Sequence, residues 1–225
     1  MGTFEAFYAS PIQHPGLLWA AGLAGTAWAL TRPGLPATTK RYVAALGGLT
    51  LLDAWLTTND VPGLGPLPER LSGVVPLFFV LAGDLRYLLV VECGTPGGAM
   101  TFTRRGVLRA LALMLVVPLS SQVLVPLLAG PDAPARVLYL VYELGFFALV
   151  LALMRWHPGS AEGRWARGVG RFVLLYYGLW ATADAIILGL GADAGYALRV
   201  VPNLLYYGGL VAVIGQASSR DAARG

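Results

Sequence analysis

The sequence contains very few of the residues that build metal, disulfide and redox sites. Cys93 is the only cysteine among 225 residues, which excludes an intrachain disulfide and any cysteine-based metal or redox motif. The only two histidines, His14 and His157, lie in predicted loops, away from the interior positions that haem, di-iron or zinc sites need. We therefore predict no metal and no cofactor, and any catalysis must use carboxylates, tyrosine, asparagine or hydroxyl groups.

Charged side chains are also scarce. They make up 12% of the chain, about half the usual globular share, whereas 56% of the residues are hydrophobic and the mean hydropathy is +0.65. Lys40 is the only lysine and lies at the edge of an apolar segment, so the last helix has no lysine for a retinal Schiff base. The composition predicts an integral membrane protein, which we place in the inner membrane of a bacterium.

Apolar segments follow one another along the whole chain. Their length and all-round apolarity favour membrane helices over barrel strands, although the first is short of the ~20 residues that a span needs. No stretch between them is long enough for a separate soluble domain, so we predict an all-α, seven-helix membrane bundle over residues 1–225. The predicted spans lie at about 16–31, 42–58, 73–92, 107–129, 136–155, 170–190 and 196–216.

The basic residues are distributed unevenly between the predicted loops. Twelve lysine and arginine residues fall in one alternating set of loops and at the C-terminus, whereas only Arg70 and Arg136 fall in the other set. The positive-inside rule then places the N-terminus outside and the C-terminus in the cytoplasm. Topology and contact with anionic lipids thus explain the net charge of +4, and we predict no nucleic-acid partner.

Five polar residues interrupt five of the apolar segments at similar depths. A charged aspartate at the centre of a membrane helix costs roughly 2.5–3.5 kcal/mol on the insertion scale, so such a side chain usually faces a partner or a cavity. With a rise of ~1.5 Å per residue, the five positions fall within one slab about 6 Å deep, from the centre of the membrane outward. We predict that they share a polar cavity. They are Asp53, Asp84, Glu143, Asp184 and Asn203.

Other polar and aromatic residues near this slab receive simpler interpretations. Arg86 and Glu92 are interpreted as a structural pair or a headgroup contact, and Asp193 as a solvated loop residue. Arg199 is near the outer end of the last span, where it can snorkel or hold a phosphate headgroup. Trp180 fits an interfacial belt. The tyrosines expected to supply hydroxyl groups to the carboxylates are Tyr139, Tyr142, Tyr176, Tyr177, Tyr206 and Tyr207.

Two stretches resemble a known family. The sequence LFFVLAGDLRYLL at Leu77–Leu89 resembles the Gly-Asp motif in a transmembrane helix of the lysoplasmalogenase family. LWATADAIILGL followed by ALRVVPNLLYYGGLVAVI is similar to that family's C-terminal signature, in which an aspartate is followed by an arginine and, seven residues later, by a Tyr-Tyr pair. In this chain those positions hold Asp184, Arg199, Tyr206 and Tyr207.

The resemblance implies hydrolysis of the vinyl-ether bond of a lysoplasmalogen, which gives a fatty aldehyde and a glycerophospho-alcohol. That reaction needs a proton delivered to the alkene carbon and water added to the resulting oxocarbenium ion, which suits two carboxylates. Asp84 and Asp184 are the hypothesised catalytic pair. The residues predicted to bind substrate are Asp53, Glu143, Arg199, Asn203, Tyr206 and Tyr207.

Two other classes of function remain open. A proton- or cation-coupled carrier of a small molecule would use the same carboxylates as a relay, and needs access from both sides of the membrane. A non-catalytic lipid-binding or sensor protein would keep the fold without turnover. In every case the expected partner is a lipid or a small amphipathic molecule in the membrane, and the sequence leaves the oligomeric state open.

Overall fold

A computed structural model describes residues 1–58, 61, 63, 65–72, 74–130, 132–156 and 164–224. Within these ranges the chain is helical and contains no β-strand, so the predicted all-α class is confirmed. Two π-helical turns, Ile12–Leu17 and Leu205–Gly209, directly precede α2 and α10. The helices are α1 (Thr3–Tyr8), α2 (Leu18–Leu30), α3 (Ala37–Leu56), α4 (Glu69–Ser72), α5 (Val74–Cys93), α6 (Arg104–Ala129), α7 (Ala135–Trp156), α8 (Arg164–Leu190), α9 (Ala194–Leu204) and α10 (Leu210–Ala222).

In the described part of the chain, five helical stretches are long and apolar enough to cross a membrane. Two of them join consecutive helices, α4 with α5 and α9 with α10. Together with the composition, they make this an all-helical membrane protein. The five stretches are Glu69–Cys93, Arg104–Ala129, Ala135–Trp156, Trp165–Leu190 and Ala194–Ala222.

Helices α2 and α3 coincide with the first two predicted spans but do not belong to these five. Helix α2 has only 13 residues, which at ~1.5 Å per residue is shorter than the ~30 Å hydrocarbon core. Helix α3 has 20 residues, but Lys40, Arg41 and Asp53 lower its hydropathy. The seven-span count and the orientation therefore stay predictions.

Small residues let α2 pack closely against the C-terminal helices. These helices contain Asn203, the residue of the last predicted span that belongs to the predicted polar slab. A Cβ atom on Gly25 would overlap the backbone carbonyl of Gly208, and one on Gly208 would overlap that of Ala21. Further along the same contact, a Cβ atom on Gly215 would stand 2.6 Å from the Ala29 side chain. Close backbone approach through glycine and alanine is typical of helix pairs in membranes.

The last predicted span is interrupted by a π-helical turn after Pro202. Proline has no backbone N–H to donate, so the regular helical ladder is broken next to it. The turn at Leu205–Gly209 contains Tyr206 and Tyr207, and both of these adjacent side chains are buried. Because π-turns occur frequently at functional sites, this part of the interior is a candidate functional site.

The described part of the chain includes one of the two histidines, His14. His14, predicted in a loop, lies instead in the π-helical turn Ile12–Leu17, and its Nε2 is 3.2 Å from the Thr57 hydroxyl. Burial lowers the pKa of His14, so the ring stays neutral at physiological pH. His157 lies outside the described residues.

Candidate functional site

The predicted site residues are in the helical interior, and all of them except Asn203 fall into three contact groups. Each of the four carboxylates is at most 5% exposed, and Asn203, Tyr206 and Tyr207 are at most 9% exposed. We name the groups by their central residues. The Asp184 cluster contains Arg136, Glu143, Asp184 and Arg199; the Asp84 cluster contains Asp84, Tyr142 and Tyr177; the Arg86 cluster contains Thr50, Asp53, Arg86, Tyr206 and Tyr207.

The Asp184 cluster joins α7, α8 and α9 through charge. Arg199 donates through Nη1 to Asp184 Oδ1, and Arg136 Nη1 is 2.9 Å from the same oxygen. Glu143 Oε1 lies 3.6 Å from Arg199 Nη1, so Arg199 is shared by two carboxylates. With 13% side-chain exposure, Arg199 is committed to this buried network and not to snorkelling toward a headgroup, which corrects one of its two predicted roles.

Two carboxylate oxygens of this cluster have no hydrogen-bond partner among the described residues. They are Glu143 Oε2 and Asp184 Oδ2, both fully buried. A buried oxygen without a hydrogen-bond partner destabilises the folded state, so in a native site such an oxygen binds a proton, a water molecule or a ligand. Arg136 has 26% side-chain exposure and connects the cluster to the protein surface.

The Asp84 cluster joins α5, α7 and α8. The hydroxyl groups of Tyr142 and Tyr177 donate to the two different carboxylate oxygens of Asp84. Asp84 therefore acts as a double acceptor, and both of its oxygens are already used inside the protein. Tyr139, also predicted to reach a carboxylate, is 52% exposed instead.

The Arg86 cluster joins α3, α5 and the π-helical turn after α9. Arg86 donates to the Thr50 hydroxyl at 2.9 Å, and its guanidinium carbon lies 4.0 Å from the centre of the Tyr206 ring. Tyr207 donates to Asp53. Arg86 is thus a central interior residue, facing α3 and the last span, which replaces our interpretation of it as a structural pair or headgroup contact.

The hypothesised catalytic pair is divided between two of these groups. Tyr177, which bonds Asp84, packs against Trp180 with ring centres 5.5 Å apart. Trp180 donates to Asn203 Oδ1 at 2.8 Å, and Asn203 shares the Tyr8 hydroxyl with Arg199 of the Asp184 cluster. Trp180 is therefore an interior residue between Asp84 and Asp184, and within the described part of the chain these two carboxylates share no hydrogen-bond partner.

The N-terminal helix α1 lies next to the Asp184 cluster. The Tyr8 hydroxyl is 3.2 Å from Arg199 Nε and 3.3 Å from the Asn203 amide nitrogen. Asp193, predicted to be only solvated, accepts the backbone N–H groups of Phe4 and Glu5, each at 2.9 Å. Its carboxylate stands where a side chain on Gly2 would be, so it caps α1 from a distant part of the chain.

We expect Asp193→Ala to release α1 from the bundle. Loss of an N-cap acceptor costs about 1 kcal/mol, which corresponds to roughly fivefold faster opening. Hydrogen exchange should therefore accelerate by about that factor at the Phe4 and Glu5 amides. Asp132→Ala removes an exposed aspartate and serves as the control. Equal exchange in both variants would show that Asp193 does not hold α1.

Three residues of the site escaped the sequence analysis, and only one left a signal. Arg136 was interpreted as a loop charge. It is, however, one of only two basic residues in the predicted outer set of loops, where few basic residues are expected, and that exception is the signal. Tyr8 requires the N-terminus to fold back onto α9, which no local pattern predicts. Thr50 lies in an apolar helix, where a threonine is common and uninformative.

The described residues include no group of three or more histidine, cysteine, aspartate or glutamate side chains that could hold a metal ion. The charged partners of Asp184 and Glu143 are arginines, so the chain is a membrane helix bundle with a buried cluster of ion pairs. Comparison of the chain with protein-family models, with curated proteins and with solved structures gave no match.

Proposed function

We propose that this protein is a membrane-embedded hydrolase that cleaves the vinyl-ether bond of lysoplasmalogen-like lipids. The proposal depends on one observation: Glu143 and Asp184 meet at Arg199, and each has a buried oxygen with no hydrogen-bond partner in the part of the chain that the structure describes. An acid and a base side by side are what protonation of an alkene carbon and activation of water require. The resemblance of the Gly-Asp and Asp-Arg-Tyr-Tyr motifs supports the substrate class.

The two carboxyl groups have different surroundings, and we base their proposed roles on that difference. Asp184 is bound by both Arg136 and Arg199, and we assign it the role of the base. Among the described residues, Glu143 has only the longer contact to Arg199, and we assign it the role of the acid. Glu143 replaces Asp84 as the catalytic partner of Asp184 because both oxygens of Asp84 accept tyrosine hydroxyls.

The reaction balances with one water molecule. Glu143 gives its proton to the alkene carbon farther from the ether oxygen, and the electron pair of that oxygen stabilises the oxocarbenium ion. Water adds to the cationic carbon and loses a proton to Asp184. The hemiacetal then breaks its carbon–oxygen bond as its hydroxyl proton passes to the leaving oxygen, and the proton on Asp184 returns to Glu143.

Arg136 is the residue that we assign to the substrate phosphate. It is the more exposed arginine of the cluster, at 26% against 13% for Arg199. With Glu143 protonated, two arginines and one carboxylate leave the cluster with one net positive charge. An anionic headgroup is therefore attracted to the position where the cluster reaches the surface.

Release of aldehyde from a lysoplasmalogen by the purified, detergent-solubilised protein tests this proposal. Two matched lipids serve as controls, one with a saturated alkyl ether and one with an acyl ester at the same position. We expect product from the vinyl ether alone, because only the alkene accepts a proton at carbon. Release of a fatty acid from the ester, with no aldehyde from the vinyl ether, would replace this function with esterase activity.

We further propose that all seven predicted segments cross the inner membrane of a bacterium, with the N-terminus outside. The lone cysteine makes this testable, since Cys93→Ala gives a cysteine-free background. In that background, a membrane-impermeant maleimide added to intact cells should label Glu69→Cys and Asp132→Cys. It should not label Ala37→Cys or Ala223→Cys. Equal labelling of Ala37→Cys and Glu69→Cys would mean that α3 does not cross.

A proton-coupled carrier is the second candidate, favoured by the presence of several buried carboxylates in adjoining groups of the helix bundle. Tyr177, which bonds Asp84, packs against Trp180, and Trp180 donates to Asn203. Substrate-dependent proton uptake in proteoliposomes, lost in Asp84→Asn, would support this reading. A vinyl-ether hydrolase has no requirement for such vectorial uptake.

A further inference from the structure

A cluster of three arginines lies at the start of α6, a helix that contributes no residue to the three carboxylate and arginine groups described above. Arg104, Arg105 and Arg109 line a depression of about 470 Å³ together with Leu108 and Ala112. All three arginines are exposed. They occupy the first turns of a 26-residue candidate membrane span, which places the depression where a membrane surface meets the helix.

The positive charge of this depression is unusually concentrated. In the described part of the chain, none of the three guanidinium groups makes a hydrogen bond or an ion pair. They stand at the N-terminal end of a helix, where the backbone dipole is itself positive and cations are unfavourable. Three arginines at that position are therefore repelled by one another and by the helix, and an anion would relieve the repulsion.

The depression continues into an apolar surface along α6. Leu108 and Ala112 form its floor, and Leu115 and Leu119 follow on the same helical face, since the spacing is four, three and four residues. Leu108 is 55% exposed, Leu115 44% and Leu119 63%. A ligand that fits this surface has an anionic end and a hydrocarbon end about as long as several helical turns.

We infer that the start of α6 is a binding site for an anionic phospholipid, whose phosphate lies among Arg104, Arg105 and Arg109 and whose acyl chain lies along Leu108 and Leu115. A soluble phosphate compound would use the arginines but leave the leucine row uncovered. The inference is independent of the proposed hydrolysis, because it concerns a different helix end and a lipid that is bound without being cleaved.

Native mass spectrometry of the purified full-length protein tests this site. The probes are phosphatidylglycerol and phosphatidylcholine with identical acyl chains. We expect preferential retention of phosphatidylglycerol by the wild type. The triple variant Arg104→Gln, Arg105→Gln and Arg109→Gln should lose it, by roughly fivefold for each arginine and on the order of a hundredfold for all three.

A second triple variant, Lys40→Gln, Arg220→Gln and Arg224→Gln, removes the same charge from other exposed positions and should keep most of the preference. Leu108→Gln should weaken retention with the arginines intact, and millimolar inorganic phosphate should not compete. Equal losses in the two triple variants would overturn the site in favour of general surface charge. Full competition by phosphate, or no effect of Leu108→Gln, would overturn the assignment to a lipid.

Discussion

Glu143→Gln is expected to reduce kcat for aldehyde release by on the order of 10²–10⁴-fold, the contribution of a general acid. Glutamine keeps the size of the side chain and its contact with Arg199, but it cannot deliver a proton to the alkene carbon. Arg136 is unchanged in this variant, so KM should change little. Steady-state kinetics on the purified protein, at substrate concentrations from well below to well above KM, separate the two parameters.

The control for this variant is Asp132→Asn, which makes the same kind of change at an exposed loop position. It should retain wild-type kcat. Asp84→Asn provides a second comparison, because the hydrolase mechanism gives Asp84 no proton-transfer step. A Glu143→Gln protein that is folded and turns over at the wild-type rate would show that Glu143 is not the acid. Loss confined to Asp84→Asn would restore the originally hypothesised role of Asp84.

Arg199→Gln is expected to lower the free energy of unfolding by about 3–5 kcal/mol, the cost of removing one partner from a buried ion pair. In the wild type, Arg199 is the partner of both Asp184 and Glu143. Its removal leaves Asp184 with Arg136 alone and leaves Glu143 with no cation within 4.0 Å among the described residues. The measurement is equilibrium unfolding of the purified protein in detergent.

The matched control is Arg220→Gln, at an exposed position near the C-terminus, where the change should stay within about 0.5 kcal/mol. The double variant Arg199→Gln with Asp184→Asn should recover part of the loss, because the unpaired negative charge is then gone. If Arg199→Gln unfolds like the wild type, the Asp184 cluster contributes nothing to stability and its geometry is incidental.

The helices were predictable because each apolar run has the length and composition of a membrane segment. The Asp184–Arg199 pair was also within reach of the sequence. Asp184 precedes the end of α8 by six residues, and Arg199 follows the start of α9 by five, so a short turn brings them level. Two helices joined by a short turn are antiparallel, so residues at similar distances from that turn lie at the same level.

The partners from other helices were not predictable in the same way. Arg136 reaches Asp184 only because α7 packs against α8, and the rotation of a helix about its axis is set by packing that the sequence does not display. The division between Asp84 and Asp184 has the same origin. The sequence predicts the depth of each carboxylate in the membrane, but it does not predict which carboxylates are neighbours at that depth. In the structure, contacts of Tyr177 and Trp180 separate Asp84 from Asp184.

The central claim is that an enzyme carboxylic acid protonates the vinyl-ether carbon, and turnover in D₂O tests it most directly. The purified protein would be given a lysoplasmalogen in D₂O, with the aldehyde reduced at once to the alcohol to prevent later exchange. We expect one deuterium on the carbon next to the former aldehyde carbon, in a product that Glu143→Gln releases on the order of 10²–10⁴-fold more slowly. Folded wild-type protein that releases no aldehyde, or releases it without deuterium at that carbon, would contradict it.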